Sequence, residues 1–443
     1  MKFHRILALT ILSLTVTHTF ADEWPRWLGS NNDANWNEAN VIETTEAPPK
    51  ITWRVPVGLG YSGPAVAYGK VYVMDYVKTS GELANNPSGR DKLEGQERVR
   101  CFDFETGKEL WTHSYDRPYF LSYASGPRTT TTVADGKVYA LGAEGNLLCL
   151  DAENGDLVWE KDLVKEYQTE APIWGFSSHP LVSGNTLYCV VGGEGSIAVA
   201  FDKDTGAEKW KALSAVEQGY SPPTMINHAG VDQLLIWHAQ ALNSLNPETG
   251  EVYWSLPVKP AYGMAIMSPR KSGKYLYASG HGRNGALIEL DDNTPSAKIV
   301  WKAKPKEAVF AANGTPYLHD GYIYGPDIDT SLLICARLSD GERIWTDARP
   351  IFGDDLPQRG SRHGTAFLTR NSTNGLFYIF NEKGELVIAD LTPEGYDERG
   401  RMKLLEPTNE AFGRDVVWTA PAFANQSIIV RNDKELIRCD LSK

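Results

Sequence analysis

One short strand pattern returns eight times along the chain and constrains its fold more than any other feature. "GKVYVMD" at 69 and "GKVYALG" at 136 are the clearest copies, and others begin at 185, 232, 274, 321, 375 and 426. Six copies carry a tyrosine at the same place, namely Tyr72, Tyr139, Tyr188, Tyr277, Tyr324 and Tyr378. A period of roughly 42 to 67 residues with strand character throughout is typical of four-stranded propeller blades.

A second phrase follows most copies and predicts the outer hairpin of each blade. "CFDFETGKELW" (101–111), "CLDAENGDLVW" (149–159) and "AFDKDTGAEKW" (200–210) share an acidic residue, a turn glycine and a final tryptophan. The acidic residue can accept hydrogen bonds from turn amides, the glycine supplies a positive φ, and the tryptophan packs against the neighbouring blade. The tryptophans predicted to have this structural role are Trp53, Trp111, Trp159, Trp210, Trp254, Trp301 and Trp345.

The two ends of the chain together supply one complete blade. The eighth copy ends at "LIRCDLSK" without a tryptophan, whereas "ITWRV" (51–55) contains Trp53 in that place. Pairing these strands closes the ring and removes two exposed sheet edges. The sequence therefore predicts an all-β fold, an eight-bladed propeller of four-stranded antiparallel blades over residues 51–443. Residues 22–50 are predicted to form an extension that packs on the propeller.

Residues 1–21 have the features of an export signal: a basic start, a short apolar run and a small residue, Ala21, at the cleavage position. No later segment approaches the length of a membrane helix, so we expect a soluble mature protein that is periplasmic or secreted. The chain has a net charge of −12 and no cluster of Lys and Arg, which makes nucleic acid a poor partner. The five cysteines lie in strand-like stretches of separate repeats, so we expect buried free thiols.

The D-x-x-T-G-x-x-x-W hairpins resemble those of the pyrroloquinoline quinone (PQQ) repeat family, and residues 126–159 are particularly similar to it. The segment "WPRWLGSNNDANW" (24–36) resembles the start of exported members of that family. The resemblance covers nearly the whole chain after residue 21 and implies a propeller fold. It also implies two kinds of activity, that of quinoprotein dehydrogenases and that of BamB-type outer-membrane assembly scaffolds.

For the dehydrogenases, the resemblance implies PQQ held between a tryptophan and a vicinal disulfide, with calcium bound by Glu, Asn and Asp. This chain has no adjacent cysteines, although some members of the family do without that disulfide. BamB-type scaffolds are lipoproteins, and no lipid-attachment cysteine follows residue 21. PQQ and calcium stay open as cofactors, and neither activity transfers residue by residue.

The irregular loops between the repeats predict where a functional site lies. The hairpin phrases share one face of the disc, whereas second-to-third turns and blade connections share the other. The long segments 77–98, 160–178 and 346–364 fall on this second face, and loops on a rigid scaffold commonly carry function. The residues expected to converge there as a ligand site are Arg128, Trp174, His179, Tyr220, Tyr262, Asn313, Arg362, His363 and Trp418, with Tyr61 and Ser62 beside them. The second-to-third turns add Glu144, Glu194, His238, His281, Arg283, Asp327, Asp329 and Asn381.

Three functions stay open from the sequence. The leading hypothesis is a binding or protein-interaction scaffold, whose ligand is a small anionic or sugar-like molecule or a partner protein. The alternative is a PQQ- and calcium-dependent oxidoreductase with Trp174 or Trp418 as a stacking platform, and a carbohydrate-active enzyme is the third. "GHGRNG" (280–285) leads into a strand and "WGFSSHP" (174–180) lacks a G-x-S-x-G context, so neither predicts dinucleotide binding or a catalytic triad. Catalytic residues and metal ligands stay unassigned from the sequence.

Overall fold

The computed structural model describes residues 23–45, 48–311, 313–355 and 361–443, and the predicted export signal lies outside them. The described residues form eight sheets, each built on four antiparallel strands, in a closed ring. The predicted eight-bladed propeller is therefore confirmed.

Two strands precede the first full blade, β1 (Asn35–Trp36) and β2 (Lys50–Pro56). Blade 1 contains β3 (Ala65–Ala67), β4 (Lys70–Ser80), β5 (Asp91–Asp103) and β6 (Glu109–Asp116), and β7 (Tyr119–Leu121) pairs with the start of β5. Blade 2 contains β8 (Thr132–Ala134), β9 (Lys137–Leu141), β10 (Asn146–Asp151) and β11 (Leu157–Asp162), followed by the one-turn helix α1 (Leu163–Glu166). Blade 3 contains β12 (Leu181–Ser183), β13 (Thr186–Val190), β14 (Ala198–Asp202) and β15 (Glu208–Ala212). Blade 4 contains β16 (Thr224–His228), β17 (Val231–Trp237), β18 (Leu242–Leu245) and β19 (Val252–Leu256).

Blade 5 follows a short 3-10 turn (Ala261–Gly263) and contains β20 (Arg270–Ser272), β21 (Tyr275–Gly280), β22 (Asn284–Leu290) and β23 (Ala297–Lys302). Blade 6 contains β24 (Tyr317–His319), β25 (Tyr322–Pro326), β26 (Leu333–Arg337) and β27 (Arg343–Asp347), followed by α2 (Arg349–Phe352). Blade 7 contains β28 (Ala366–Asn371), β29 (Phe377–Asn381), β30 (Glu385–Thr392) and β31 (Gly395–Lys403). A small hairpin, β32 (Asn409–Ala411) and β33 (Arg414–Val416), precedes blade 8, which contains β34 (Ala422–Ala424), β35 (Ser427–Arg431) and β36 (Glu435–Asp440) together with β2.

The recurring tyrosine and tryptophan tie blades 1, 2 and 3 each to the following blade. In blade 2, the Tyr139 hydroxyl and the Trp159 indole both donate to the backbone oxygen of Lys203 in blade 3, each at 3.1 Å. The corresponding tyrosines and tryptophans of blades 1 and 3 share the backbone oxygens of Ala152 and Pro247 in the same way. Since both rings are amphipathic, each buries apolar area between blades while its polar atom is satisfied.

The turn glycine makes room for the tryptophan of the preceding blade. Gly155 has a φ of +77°, and a Cβ placed there would lie 2.5 Å from the indole ring of Trp111. Blade 5 has no glycine in this turn, and Trp254 of blade 4 instead donates to the side-chain oxygen of Gln233 in its own blade at 3.0 Å. Trp345 of blade 6 donates to the backbone oxygen of Thr392 in blade 7 at 2.8 Å without a glycine packed on its ring, so the facing glycine accompanies most of these contacts but not all of them.

The ring closes where the ends of the chain meet. Strand β2 runs antiparallel to β36, with Lys50 opposite Asp440 and Pro56 opposite Glu435, as predicted from the missing eighth hairpin. The closure continues inward through Arg431, whose buried guanidinium donates to backbone oxygens of blade 1 and of the segment after β2.

The extension crosses the central channel up to Trp36, and residues 41–45 then lie against the end of β36 and the outer strand of blade 7. Strand β1 pairs in parallel with β28 of blade 7, and the Trp24 backbone bridges Val66 of blade 1. The buried ring of Trp36 packs 5.0 Å from that of Phe423 in blade 8. Arg270 of blade 5 donates to the backbone oxygens of residues 32 and 33. The segment therefore contacts inner strands on opposite sides of the ring.

All five cysteines are buried and free, as expected from their places in separate blades. Within the described ranges, no helix combines the length and apolar character needed to cross a membrane.

Candidate functional site

The blade connections surround a cavity of about 460 Å³ on the axis of the ring. All nine residues predicted from the sequence to form a ligand site line it: Arg128, Trp174, His179, Tyr220, Tyr262, Asn313, Arg362, His363 and Trp418. Each of the last seven blades contributes at least one of them, and Tyr61 before blade 1 completes the circle. We call this cavity the funnel.

The turns between the second and third strands of the blades contribute few side chains to the funnel, although many of their residues are charged or polar. Of the eight turn residues singled out above, His281 lies on the funnel wall. The Asp327 carboxylate is buried and accepts hydrogen bonds from the Phe310 amide and the Arg343 guanidinium, both at 2.9 Å. Ser62 is also buried and donates to the backbone oxygen of Thr129 at 2.8 Å. These polar groups support the loops and do not face the funnel.

Aromatic rings form much of the funnel wall. The Trp418 ring centroid lies 5.7 Å from that of Tyr123 and 6.5 Å from that of Tyr61. Across the wall, the Trp174 ring lies 5.6 Å from that of Tyr220. Flat rings at these spacings offer surfaces on which another ring can stack.

Four non-glycine residues on this wall have left-handed backbone conformations. They are Tyr123 (φ +48°), Tyr262 (+57°), His363 (+58°) and Phe412 (+52°). Such a conformation costs about 1 kcal/mol or more for a bulky side chain and persists only where the surroundings enforce it. The loops thus hold these rings in fixed positions around the funnel.

The funnel histidines are held in their neutral form. The His179 Nδ1 accepts a hydrogen bond from the Thr130 amide at 2.9 Å, and its ring stacks on Trp27 at 4.5 Å. Burial lowers the pKa of His179 to about 3, and burial together with nearby cations lowers the pKa of His363 to about 4. Burial also lowers the pKa of His281. At neutral pH these imidazoles add no charge to the wall.

Two arginines give the wall a positive charge. Arg128 donates to the backbone oxygens of Ser122 (2.9 Å) and Tyr123 (2.6 Å), and its guanidinium lies 5.4 Å from the Tyr61 ring centroid. Among the described residues, neither Arg128 nor Arg362 forms an ion pair with a carboxylate. An acidic protein therefore has an uncompensated cationic funnel, which favours an anionic ligand over a cationic one.

The funnel does not fit a calcium–PQQ centre. Calcium prefers six to eight oxygen ligands, usually with carboxylates among them. None of the described residues lining the funnel is Asp or Glu, and Asn313 is the one side-chain amide. The carboxylates behind the wall have partners already, since Asp329 pairs with Arg283 at 3.1 Å and Glu382 pairs with Arg414 at 2.6 Å. In the described part of the chain, no three His, Cys, Asp or Glu side chains are grouped to hold a metal.

Sequence reasoning missed four aromatic residues of the site, one of which is Phe367 in β28 of blade 7. Trp27 comes from the segment that crosses the channel, and Phe412 lies at the tip of the β32–β33 hairpin. Tyr123 lies in the connection before blade 2. "WPRW" at 24–27 was a visible signal, but nothing in it tells which side of the ring the segment occupies.

Comparison with protein families gives one match that covers more than half of the chain. A PQQ-like repeat model described as "Outer membrane protein assembly factor BamB" matches residues 95–347. The match begins within blade 1 and ends at the last strand of blade 6.

Two kinds of curated relatives match the sequence. The quinone-dependent alcohol dehydrogenase subunit of Komagataeibacter europaeus is 24% identical over 65% of this chain and 37% of its own length. The outer membrane protein assembly factor BamB of Salmonella typhimurium is 25% identical over 29% of this chain and 31% of its own. The chain thus spans about a third of the length of these relatives.

Solved structures of both kinds share the fold. BamB from Moraxella catarrhalis superposes with a TM-score of 0.55 at 16% identity, over 89% of this chain and 98% of that one. The quinohemoprotein alcohol dehydrogenase from Comamonas testosteroni superposes with a TM-score of 0.61 at 13% identity, over 95% and 80%.

Proposed function

This chain belongs to the PQQ-like repeat family, and on that premise we propose that it is a binding propeller whose funnel takes a small organic molecule with a flat ring system. The observation that carries the proposal is the aromatic wall of the funnel, with four residues enforced in left-handed conformations. A concave, largely apolar cavity with a few fixed polar groups is the usual form of a small-molecule site. Its volume of about 460 Å³ suits a ligand of one to three rings. Export through residues 1–21 is part of the same proposal.

The relatives named as quinone-dependent alcohol dehydrogenases suggest an oxidoreductase, but the funnel supports this function poorly. A calcium-bound quinone needs carboxylate ligands, and the described wall has none. We therefore place binding ahead of oxidation.

Protein interaction at the same face is the second candidate. The relatives named BamB are assembly factors, and two rings at the mouth of the funnel are exposed here. The exposed fraction is 72% for Tyr262 and 43% for Phe412. Exposed aromatic side chains are enriched in protein interfaces, so the mouth could hold a loop of a partner protein.

Fluorescence titration tests the leading proposal directly, because Trp27, Trp174 and Trp418 line the funnel. The probes are indole-3-acetate, 2-naphthoate, quinoline-2-carboxylate, D-glucuronate, and PQQ with and without calcium. We expect saturable quenching by the flat-ring probes and a loss of at least tenfold in their affinity in Trp418→Leu.

Trp345→Leu is the matched control, since it removes a tryptophan of the hairpin face and should leave the affinity unchanged. Equal binding by Trp418→Leu and the parent, or no saturable binding by any ring probe, would refute the proposal. Calcium-dependent binding of PQQ with turnover of alcohols would establish the oxidoreductase instead. A partner protein whose binding is lost in Tyr262→Ser, without ring-probe binding, would establish the scaffold.

A further inference from the structure

One corner of the funnel differs from the rest of its wall because two histidines and an arginine lie together there. The His281 and His363 rings lie face to face, with centroids 6.2 Å apart and an interplanar angle of 25°. Arg362 precedes His363 in the chain and lines the same cavity. We call these three residues the basic corner.

We propose that the basic corner binds an oxyanion of the ligand, so that the natural ligand is a flat-ring carboxylic acid or a similar organic acid whose binding takes up a proton. This inference rests on the proposed function, since it assigns the chemical class of the molecule that the funnel takes.

Unpaired polar groups at the corner support an anion. His281 Nδ1 is buried and has no hydrogen-bond partner among the described residues. The Arg362 guanidinium makes no hydrogen bond and no ion pair within the described chain. A buried nitrogen without a partner costs about 1 to 3 kcal/mol, and a bound carboxylate satisfies such a group when it is protonated. A bidentate carboxylate is also the preferred partner of a guanidinium.

The neighbouring charges do not cancel this positive corner. Arg414 approaches from the β32–β33 hairpin, but both carboxylate oxygens of Glu382 hold it, and its buried Nη1 is left without a partner. Asp329 approaches from the β25–β26 turn and is paired with Arg283. After these pairs are formed, Arg362 has no ion-pair partner among the described residues. Arg362 is exposed at the funnel, so it can reach an oxyanion there, and a carboxylate accepts the two parallel hydrogen bonds of a guanidinium that a neutral sugar does not match.

Proton uptake follows from the groups that face His363. Burial, together with the neighbouring His281, Arg414 and Arg362 side chains, lowers the pKa of His363 to about 4, and Asp329 opposes this shift. A bound carboxylate adds an attraction that opposes this repulsion, so it raises the pKa of the histidine above its value in the free protein. Because the complex then holds a proton that the free protein lacks, the acid binds more tightly as the pH falls from 8 toward 5.5.

Matched acids and amides test the charge requirement. The probes are indole-3-acetate against indole-3-acetamide, and 2-naphthoate against 2-naphthamide, measured by titration calorimetry at pH 5.5, 6.5 and 8 in buffers of different ionisation enthalpy. We expect each acid to bind at least tenfold more tightly than its amide at pH 6.5. We also expect the acids alone to show a pH-dependent affinity and a buffer-dependent heat.

Two variants test whether the preference for acids and its pH dependence arise at the basic corner. Arg362→Gln should weaken the acids about tenfold and leave the amides unchanged, whereas Arg399→Gln, on the outer strand of blade 7, should change neither. His363→Asn should remove the pH dependence, and asparagine tolerates the left-handed backbone of this position.

The outcomes separate this inference from the proposed function. If amides and acids bind equally well, the anion corner is wrong while ring binding stands. If acids are preferred but Arg362→Gln has no effect, the anion lies elsewhere and the inference is overturned. If neither acids nor amides bind, the proposed function fails and this inference fails with it.

Discussion

The hairpin face and the loop-bearing face of this propeller contain similar types of residue, but these residues have different roles on the two faces. On the hairpin face, each tyrosine, tryptophan and glycine has one structural partner, as when Trp159 donates to Lys203 and packs on the turn at Gly206. On the loop-bearing face, aromatic and basic side chains point into the funnel, and several of their polar atoms have no partner in the described chain. Residues that recur at a fixed period are therefore satisfied, and residues that occur once are the ones left free to bind.

This difference explains why repetition in the sequence points away from the site. A side chain that recurs in most blades must serve a geometry that those blades share, and that geometry is the contact between neighbouring blades. A site needs different groups at different angles around the axis. The irregular connections supply that variety, at the expense of strained backbone at positions such as Tyr262 and His363.

The largest expected effect comes from crowding the blade contact on the hairpin face. Gly155→Ala and Gly136→Ala place the same methyl group on glycines of blade 2 that both have a positive φ. The Gly155 methyl meets the Trp111 ring at 2.5 Å, whereas the Gly136 methyl meets nothing within 4 Å. We expect a loss of unfolding free energy of about 1 kcal/mol for Gly136→Ala and about 3 kcal/mol for Gly155→Ala.

Urea unfolding of both variants measures this difference, with ring-probe affinity of the folded protein as the second reading. That affinity should not change, because the funnel lies on the other face. Equal losses of stability in the two variants would show that the tryptophan contact does not restrict the glycine.

A smaller effect should appear in the pH dependence of stability between pH 4.5 and 7.5, for a carboxyl group on the loop-bearing face but not for one on the hairpin face. Asp433, in the β35–β36 turn of the loop-bearing face, has its pKa raised to about 6 by burial, against the attraction of Arg431. Its ionised form therefore penalises the folded state above pH 6, and the penalty disappears as the pH falls toward the unfolded-state value near 4. Asp433→Asn should consequently gain stability relative to the parent when the pH rises from 4.5 to 7.5, by no more than about 2 kcal/mol.

Asp202 on the hairpin face is the control for this measurement. Hydrogen bonds from the Thr205 hydroxyl and amide lower the pKa of Asp202, so its stabilising effect is present above the unfolded-state pKa and is lost only in more acidic solution. The stability difference between Asp202→Asn and the parent should stay constant from pH 4.5 to 7.5 in thermal unfolding. A constant difference for Asp433→Asn as well would show that its carboxyl titrates normally.

Much of the fold could be predicted because the same local sequence pattern recurs in most of the blades. The glycine phrase, the strand pattern and the lone Trp53 were enough to predict eight blades and the closure by β2. The funnel residues could be named because blade connections must enter at the axis, whatever conformation they adopt.

The rest of the site depends on contacts that no repeat encodes. Trp27 reaches the funnel because the extension is held at Trp24 by blade 1 and at residues 32 and 33 by Arg270 of blade 5, which is a tertiary effect. Phe412 lies on a hairpin inserted once, so no other copy of the repeat sets its register. The neutrality of the funnel histidines results from burial among loops and has no local sequence signal.

The smallest expected effect concerns two tyrosine hydroxyls, one in a contact between blades and one in the funnel wall. The Tyr139 hydroxyl donates to the backbone oxygen of Lys203 across a blade contact, whereas the buried Tyr123 hydroxyl has no partner in the described chain. Tyr139→Phe should cost about 1 kcal/mol of unfolding free energy, and less if the Trp159 indole keeps that oxygen satisfied. Tyr123→Phe should be neutral or slightly stabilising, because phenylalanine removes a buried hydroxyl that gains nothing from folding. Urea unfolding measures the free energy of unfolding of both variants. A greater loss of this free energy in Tyr123→Phe than in Tyr139→Phe would mean that the Tyr123 hydroxyl also makes a stabilising contact. The loop-bearing face would then be built from structural contacts as well, which would count against a free binding surface there.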